Sequence, residues 1–207
     1  RDIVIAGEAD NANYIVAATL SADGSGEFIS LKAVFGTGNT VYATASNIYI
    51  AGSRYISEET PITDGDQTGS HYVSYSVTDI YRMSNADGVL EFTGFGSAPG
   101  TLINQFAMDE YNGYFRVVTT QNNYAYDYYT ETWTGKDGEA GTSSVSVGSS
   151  ESNISNGLYV FDGALEIVGK LEGLAEGETV YSVRFSSDIG YFVTFRRTDP
   201  LFSVDLS

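Results

Sequence analysis

The chain has 207 residues, 42% of them hydrophobic, which is enough to bury a core in one domain or two small ones. The 27 acidic residues against 10 Lys and Arg give a net charge of −17, which argues against nucleic acid and anionic lipid as partners. Cysteine is absent, so disulfides, thiolate nucleophiles and Cys-ligated metals are excluded.

Strand and turn formers dominate the remaining composition, with 16 Tyr, 11 Phe and 23 Gly. Such a chain favours short strands and tight turns over helices. No apolar run approaches the roughly 20 residues that a membrane-spanning helix needs, so we expect no direct membrane insertion. The chain starts at Arg1 without a signal peptide, and we expect it to be a piece of a longer protein.

A repeated hairpin is the main feature along the chain. The opening "DIVIAG" predicts a second or third strand, and three Asp-Gly dipeptides then lie between apolar runs. Each dipeptide predicts a β-hairpin, because Asp-Gly tolerates the positive φ angles of tight turns. The dipeptides are Asp23-Gly24, Asp87-Gly88 and Asp162-Gly163.

A Gly-spaced connector and a second strand pair follow each hairpin. The connectors contain Gly36 and Gly38, Gly96 and Gly100, and Gly173 and Gly177. The last two copies align without a gap, so that Gly113 matches Gly190, Phe106 matches Val183 and Met108 matches Phe185. The sequence therefore repeats a unit of four antiparallel strands.

Four-stranded units joined by Gly-rich steps are typical of a β-propeller, whose blades have two apolar faces and must stack to bury both. We predict an all-β β-propeller fragment of about three four-stranded antiparallel blades. The alternative is a β-sandwich of about seven to nine short strands, which does not explain the in-register repeat. The predicted portions are a partial blade at 1–38, a blade at 39–98, a blade at 99–175 with an insert at 121–156, and a partial blade at 176–207.

About three blades are too few for an ordinary closed ring of 4–8 blades. We therefore expect the rest of its own propeller to be a partner of this fragment. A homodimer in which two copies form one ring is the other arrangement that we consider.

Several stretches resemble a known family, the secreted β-propeller domain of bacteria and archaea, which is distantly related to WD40 repeats. They are "LINQFAMDEYNGYFRVVTT", "GETVYSVRFSSDIGYFVTFRRTDPLFSVDLS", "TVYATASNIYIAG" and "TDIYRMSNADGVLEFTGFGSAPG". The resemblance implies a location outside the membrane, secreted or at the cell surface, within a larger chain. It implies no activity, since propellers host both binding and catalysis.

An aromatic insert, "YAYDYYTETWTGKDGEAGTSSVSVGSSESN", is the first candidate for a binding surface. Inserts on one face of a repeat protein often carry its binding surface, and aromatic rings stack on sugars and protein partners. The candidates are Tyr126, Tyr128, Tyr129 and Trp133, together with Tyr124. The alternative is that these residues lengthen the hairpin and pack on the blade.

Arginines in the closing segment are the second candidate. We expect Tyr181, Val183 and Phe185 to share one face of their strand and Arg184 to lie on the other. On the next strand we expect Tyr191, Val193 and Phe195 on one face, and Phe192, Thr194 and Arg196 on the other. Arg184 and Arg196 predict an anion or sugar site on the polar face. The alternatives are ion pairs with Asp or Glu of a neighbouring blade, or exposure where the chain was cut.

Other polar residues have structural interpretations that we prefer. Asp109 and Glu110 are adjacent carboxylates at a turn, where neighbouring side chains point to opposite faces of a strand. His71 is the only histidine, in a polar insert, and we expect it in an exposed loop. We interpret Asp199-Pro200 as a turn. The loop with Asp64 and Asp66, or the loop with Glu8, Asp10, Asn11 and Asn13, could hold Ca²⁺, although neither follows the EF-hand spacing, and we interpret both as polar loops.

The sequence thus predicts a non-catalytic extracellular scaffold or binding module, with a carbohydrate or protein ligand and without a metal or cofactor. The alternative is part of a propeller-type glycan hydrolase or lyase whose site is shared with other blades. An enzyme would gather carboxylates, or Arg with a base, around the central channel. A binding module would instead expose aromatic side chains on one rim.

Overall fold

The structure is a computed structural model that describes residues 2–5, 13–36, 38–64, 67–134, 137–138, 140–145, 151–195 and 201–207. Within these ranges the chain is all-β, apart from a 3-10 helix at Gln105–Ala107. The strands are β1 Asp2–Ile5, β2 Tyr14–Leu20, β3 Phe28–Phe35, β4 Thr40–Ala43, β5 Asn47–Asp64, β6 Gln67–Ala86, β7 Val89–Pro99, β8 Met108–Tyr111, β9 Tyr114–Thr134, β10 Ala140–Val145, β11 Glu151–Phe161, β12 Ile167–Leu174, β13 Thr179–Ser186, β14 Ile189–Phe195 and β15 Leu201–Asp205.

Two complete four-stranded units lie in the middle of the chain. The second unit is the antiparallel meander β4-β5-β6-β7, and the third unit is β8-β9-β11-β12. Asp87 and Gly88 join β6 to β7 with φ angles of 51° and 84°, as the tight hairpin turn requires. The all-β prediction and the four-stranded antiparallel unit are therefore confirmed.

The first and fourth units have three strands each in the described residues. In the fourth unit, β13, β14 and β15 form an antiparallel meander. In the first unit, β2 and β3 form a hairpin, and β1 pairs with β3 in parallel. β1 therefore lies at the edge beside β3, and our assignment of this stretch as a second or third strand was wrong.

The gapless alignment of the last two copies is also wrong, by two residues. Met108 opposes Val117 across β8 and β9, and Val183 opposes Phe192 across β13 and β14, so Met108 corresponds to Val183. The physical reason is the 3-10 helix, which takes up extra residues before β8. The fourth unit instead has a β-bulge between Val180 and Ser182.

That bulge also changes which side chains of β13 share a face. A bulge places two residues of one strand opposite a single residue of its partner, so the alternation of faces is broken there. Val180 and Val183 are consequently both buried, whereas Tyr181 is 68% exposed. Our expectation that Tyr181 would share a face with Val183 was wrong.

On β14, the buried face is the one that we expected to be polar. Phe192 and Thr194 are buried, whereas Tyr191 and Phe195 are exposed. The Thr194 hydroxyl donates a hydrogen bond to the Glu178 carboxylate at 2.6 Å, so its burial leaves no unpaired donor. Arg196, the next residue on that face in sequence, lies outside the described residues, as does the Asp199-Pro200 turn.

The hydrophobic core lies between successive units. Tyr81 and Met83 of the second unit pack with Val34 of the first unit. Tyr49 and Ile80, which point to the other side of the second unit, join a larger cluster that includes residues of the third. Residues of that cluster from the third unit are Met108, Phe115, Val117, Tyr159, Phe161 and Leu165. Both central units are thus buried on two faces, which is propeller stacking rather than a two-sheet sandwich.

Two long hairpins extend beyond the stacked units and pair with each other. The distal half of β5 and β6 forms one hairpin, and the distal half of β9 with β10 and the start of β11 forms the other. β6 pairs with β9 from Thr68 opposite Thr130 to Ser74 opposite Tyr124. This extension, called the arm below, joins the second and third units into one sheet of nine strands within the described residues.

The outer edge of the arm carries a proline at an informative position. The backbone N–H of Asn39 donates to the Ala51 carbonyl at 3.1 Å, so the Ala51 backbone groups point to the outer edge of β5. Backbone groups of alternate residues in a strand point to the same edge, and Pro61 is ten residues after Ala51. The position where Pro61 lacks an N–H is therefore on the outer edge of β5, where no described strand pairs with this residue. The proline therefore blocks strand addition without weakening the β5–β6 ladder.

Replacing Pro61 with Val is expected to increase self-association, because it restores a backbone donor and a β-branched side chain on an open edge. Sedimentation velocity over a concentration series measures this, with Ile62→Val, whose backbone groups point inward, as the control. An unchanged monomer fraction in Pro61→Val would contradict the role given to the proline.

A second prediction concerns the contact between Gly36 and Tyr81. Gly36 has a φ of 154°, and a Cβ there would collide with the Tyr81 hydroxyl, so Gly36→Ala should destabilise the chain by about 3 kcal/mol. No described residue gives the buried Tyr81 hydroxyl a hydrogen-bond partner, and burial raises the pKa of Tyr81 to about 12. Tyr81→Phe should therefore be neutral or stabilise by up to about 1 kcal/mol.

Urea denaturation of the two single variants and the double variant tests this pair. The double variant should recover part of the loss in Gly36→Ala, because the colliding oxygen is gone. Strictly additive free energies of unfolding would mean that the two residues do not interact.

Candidate functional site

The arm lies at the same end of the stacked units as the connectors between them. Strand direction alternates through each unit, so the β5–β6 and β9–β10 tips and the connectors after β3, β7 and β12 fall at one end. The Asp-Gly turns fall at the opposite end. The long inserts and the inter-unit connectors therefore form one surface together.

One face of the arm carries a row of tyrosines. Tyr72 of β6 is directly opposite Tyr126 of β9, and their rings stack with centroids 5.1 Å apart at an angle of 11°. The Tyr124 ring lies 5.5 Å from the Tyr126 ring. By strand register, Tyr128 and Tyr55 lie on the same face. We call Tyr55, Tyr72, Tyr124, Tyr126 and Tyr128 the tyrosine face.

Among the described side chains, the tyrosine face carries one carboxylate and no other charged group. Glu59 of β5 is directly opposite Tyr72 of β6. Its carboxylate accepts a hydrogen bond from the Ser70 hydroxyl at 2.6 Å. That bond lowers the pKa of Glu59, and the hydrogen bond with Glu59 raises the pKa of Tyr72. The Tyr72 phenol therefore stays protonated at physiological pH and can donate or accept hydrogen bonds.

The opposite face of the arm holds a different set of side chains. Tyr129 lies there by register, with His71, whose Nδ1 is 2.6 Å from Oδ1 of Asp127. His71 lies within β6, so our expectation of a loop histidine was wrong, although its side chain is 41% exposed. Trp133 lies in β9 opposite Gly141, and its side chain is outside what the structure describes.

Of the predicted aromatic candidates, Tyr126 and Tyr128 therefore share a face and Tyr129 does not. Sequence reasoning missed Tyr72 and Tyr55, which belong to the other hairpin. The alternation in "SHYVSYS" could have placed Tyr72 on one face of a strand. The pairing of β6 with β9 is a long-range contact that no local pattern reveals.

A cleft of about 450 Å³ opens on the tyrosine face, where the arm meets the units. Its lining comes from β5, β6, β9, β11, the connector after β7 and the start of β13. The lining residues that matter below are Tyr55, Ser76, Asn122, Ile154, Thr179 and Tyr181.

Arg184, one of the two predicted arginine candidates, lies away from the tyrosine face. The guanidinium of Arg184 is 4.3 Å from the Phe106 ring centroid, and Nη1 donates to the Val183 carbonyl at 2.7 Å. Arg184 lines a separate cavity with Tyr42 and Asp109. The structure does not bring Arg184 together with the tyrosines, and Arg196 lies outside the described residues.

The neighbouring carboxylates Asp109 and Glu110 each have a structural partner. Asp109 accepts hydrogen bonds from the buried Arg116. Glu110 accepts two bonds from the Asn47 amide, at 2.9 and 3.1 Å, and one from the Thr44 hydroxyl. The two carboxylates do not converge on one site.

These polar contacts instead connect the units. The bonds from Asn47 and Thr44 to Glu110 link the second unit to the third. Arg116 of the third unit lies 5.0 Å from the ring centroid of Phe185 in the fourth, while Arg184 of the fourth unit covers Phe106 of the third. Each guanidinium thus covers an aromatic ring of the adjoining unit.

No group of three or more acidic or histidine side chains among the described residues could hold a metal ion. Of the calcium candidates, Glu8, Asp10, Asn11 and Asp66 lie outside those residues, as does the side chain of Asp64. None of the helices in the described ranges has the length and apolar character to cross a membrane.

Two curated proteins from archaea are similar to this chain. One is an uncharacterized protein of Archaeoglobus fulgidus, 42% identical over 118 residues, which are 57% of this chain and 14% of that protein. The other is an uncharacterized protein of Methanocaldococcus jannaschii, 40% identical over 136 residues, which are 66% of this chain and 18% of that protein. This chain thus spans less than a fifth of the length of either relative.

No solved structure matches the chain. The sequence profile of one family, described as the Beta propeller domain, matches residues 1–207. Together with the stacked four-stranded units, this match means that the chain belongs to the β-propeller domain family.

Proposed function

We propose that this chain is a non-catalytic binding module of an extracytoplasmic protein, and that it contacts its ligand through the tyrosine face of the arm. The observation that carries the proposal is the position of that face. The arm extends beyond the stacked units, so its stacked rings serve no core between units. Aromatic side chains with phenol groups are suited to sugars and to protein surfaces.

The carboxylates favour this proposal over a propeller-type hydrolase or lyase. A glycosidase needs two carboxyl groups flanking the bond that it cleaves. Asp109 and Glu110 are held by Arg116 and Asn47, and the buried Asp79 pairs with Arg54 at 2.8 Å. Each of these acidic groups is engaged in holding strands together.

The partner that we propose beside the ligand is the rest of a propeller ring. The outward face of the first unit exposes apolar side chains that an adjoining sheet would bury. They are Ile3, Ile5, Tyr14, Val16, Leu20, Phe28 and Leu31. Further blades or a second copy of the chain would each cover this face, and analytical ultracentrifugation distinguishes them, since only the second copy makes a dimer of the isolated chain.

Tyr126→Ala and Tyr128→Ala are expected to weaken ligand binding by about tenfold each, because each removes a half-buried ring from the tyrosine face. Glycan arrays and a screen of surface proteins identify the ligand, and isothermal titration measures affinity. Mass spectrometry of the ligand after incubation checks for turnover.

Tyr129→Ala is the matched control, since it removes the same ring from the opposite face of the same strand. It should leave affinity within about twofold. Equal losses in all three variants would show that the tyrosine face is not the contact surface. Cleavage of the ligand would refute the non-catalytic assignment.

A further inference from the structure

The cleft at the base of the arm has a geometric origin. β6 and β9 are paired up to Ser74 and Tyr124, and then separate because β6 enters the second unit and β9 the third. The gap between them is closed below by the bridge between Thr101 and Thr120. The two strands and this bridge form a fork, and the cleft lies in it.

We propose that this fork cleft is the end subsite for an uncharged glycan chain, whose following sugar units lie along the tyrosine face. The inference rests on the proposed function and adds a site and a ligand class to it. A volume of about 450 Å³ is within the range of roughly 300–1,000 Å³ that small-molecule sites occupy.

The lining has the mixed chemistry that a sugar ring needs. Tyr55 and Tyr181 are 72% and 68% exposed, so their rings are accessible to a ligand, and Ile154 adds apolar surface. Ser76 and Asn122 supply a hydroxyl and an amide that can both donate and accept hydrogen bonds. The apolar face of a pyranose ring can stack on the tyrosine rings, and its hydroxyl groups can form hydrogen bonds with the polar side chains.

Hydrogen bonds around the buried Asn156 position one wall of the cleft. The buried Asn156 amide donates to the carbonyls of Leu174 and Glu178, at 2.9 and 3.0 Å, and its oxygen accepts from the Thr120 hydroxyl at 2.7 Å. The Val180 N–H donates to that same hydroxyl. These bonds hold the start of β13, and hence Tyr181, against the fork, so little ordering is needed on binding.

The charge of the surroundings selects for an uncharged ligand. No described residue that lines the cleft is charged. A net charge of −17 repels uronic or sulfated chains. With no carboxylate in the lining, the cleft can hold a sugar but has no acid or base with which to cleave it.

Continuity with the tyrosine face points to a chain rather than a single sugar. Ser76 is opposite Tyr55, and Ile154 is opposite Asn122, so the fork residues lie on the same face as Tyr124 and Tyr126. Alternate residues on a strand are about 7 Å apart, so Tyr124, Tyr126 and Tyr128 supply successive aromatic contacts away from the fork.

The test is isothermal titration of the 207-residue chain with neutral glucan, mannan and galactan oligosaccharides of one to six units, and with galacturonan oligomers. Affinity should rise with length in at least one neutral series, and galacturonans should bind at least about tenfold more weakly. Tyr55→Ala and Tyr181→Ala should each weaken binding by about tenfold or more. Both side chains are exposed, so the variants should keep the wild-type melting temperature, and Tyr55→Phe should retain most of the affinity.

Tyr191→Ala is the control, since it removes an exposed ring from the same sheet as Tyr181 but outside the cleft. If only Tyr126→Ala and Tyr128→Ala weaken binding, the fork cleft is not a subsite and the proposed function stands. Preference for galacturonans, or binding of proteins alone, would overturn the glycan assignment. A ligand whose affinity none of the arm or cleft variants changes would overturn both proposals.

Discussion

The structure depends on the burial of two apolar faces by every four-stranded unit. Along β5, Tyr49 and Ala51 point to the third unit and Ile50 points to the first, and all three are buried. At about 25 cal/mol per Å² of apolar surface, neither face of such a sheet could stay in water without a large cost. Each unit therefore needs a neighbour on both sides, and the units stack.

The arm exists under a different constraint. Its strands leave the stack and lose the neighbours that bury a sheet on two sides, and an isolated two-stranded hairpin is only marginally stable. Pairing of β6 with β9 stabilises both hairpins, because it joins them into one wider sheet. The stacked rings of Tyr72 and Tyr126 then add cross-strand contact on one face, and the His71–Asp127 pair adds it on the other.

Whether a feature could be predicted from the sequence depends on how far apart along the chain its interacting residues lie. The hairpin at Asp87-Gly88 and the repeat of four strands depend on local turn chemistry and alternation, and both were predicted correctly. The two-residue error in aligning Met108 came from a 3-10 helix in one copy and a bulge in the other. Glycine spacing alone reveals neither feature, because it does not show where extra residues are taken up between two glycines.

The candidate site was predictable only in part for the same reason. Tyr126 and Tyr128 stood out because they lie in one aromatic insert, but strand alternation put Tyr129 on the other face. Tyr72 and Tyr55 come from a different insert, and Tyr181 faces outward only because a bulge shifts it. Each of these depends on pairing or register that is set far along the chain.

Sheet geometry also explains why a cleft forms at this position and not elsewhere on the arm. Paired strands are held about 4.8 Å apart, whereas the second and third units are separate sheets whose stacking leaves room for buried side chains such as Phe115 between them. Two strands that share a sheet in the arm and then enter different units must separate, and the backbone groups left between them need partners. The Gly100 N–H, which donates to the Ser76 carbonyl at 2.7 Å, and the Thr101–Thr120 bridge supply those partners at the bottom of the fork. Ser76 and Asn122, next to the bridge, then line a gap that the fold itself creates.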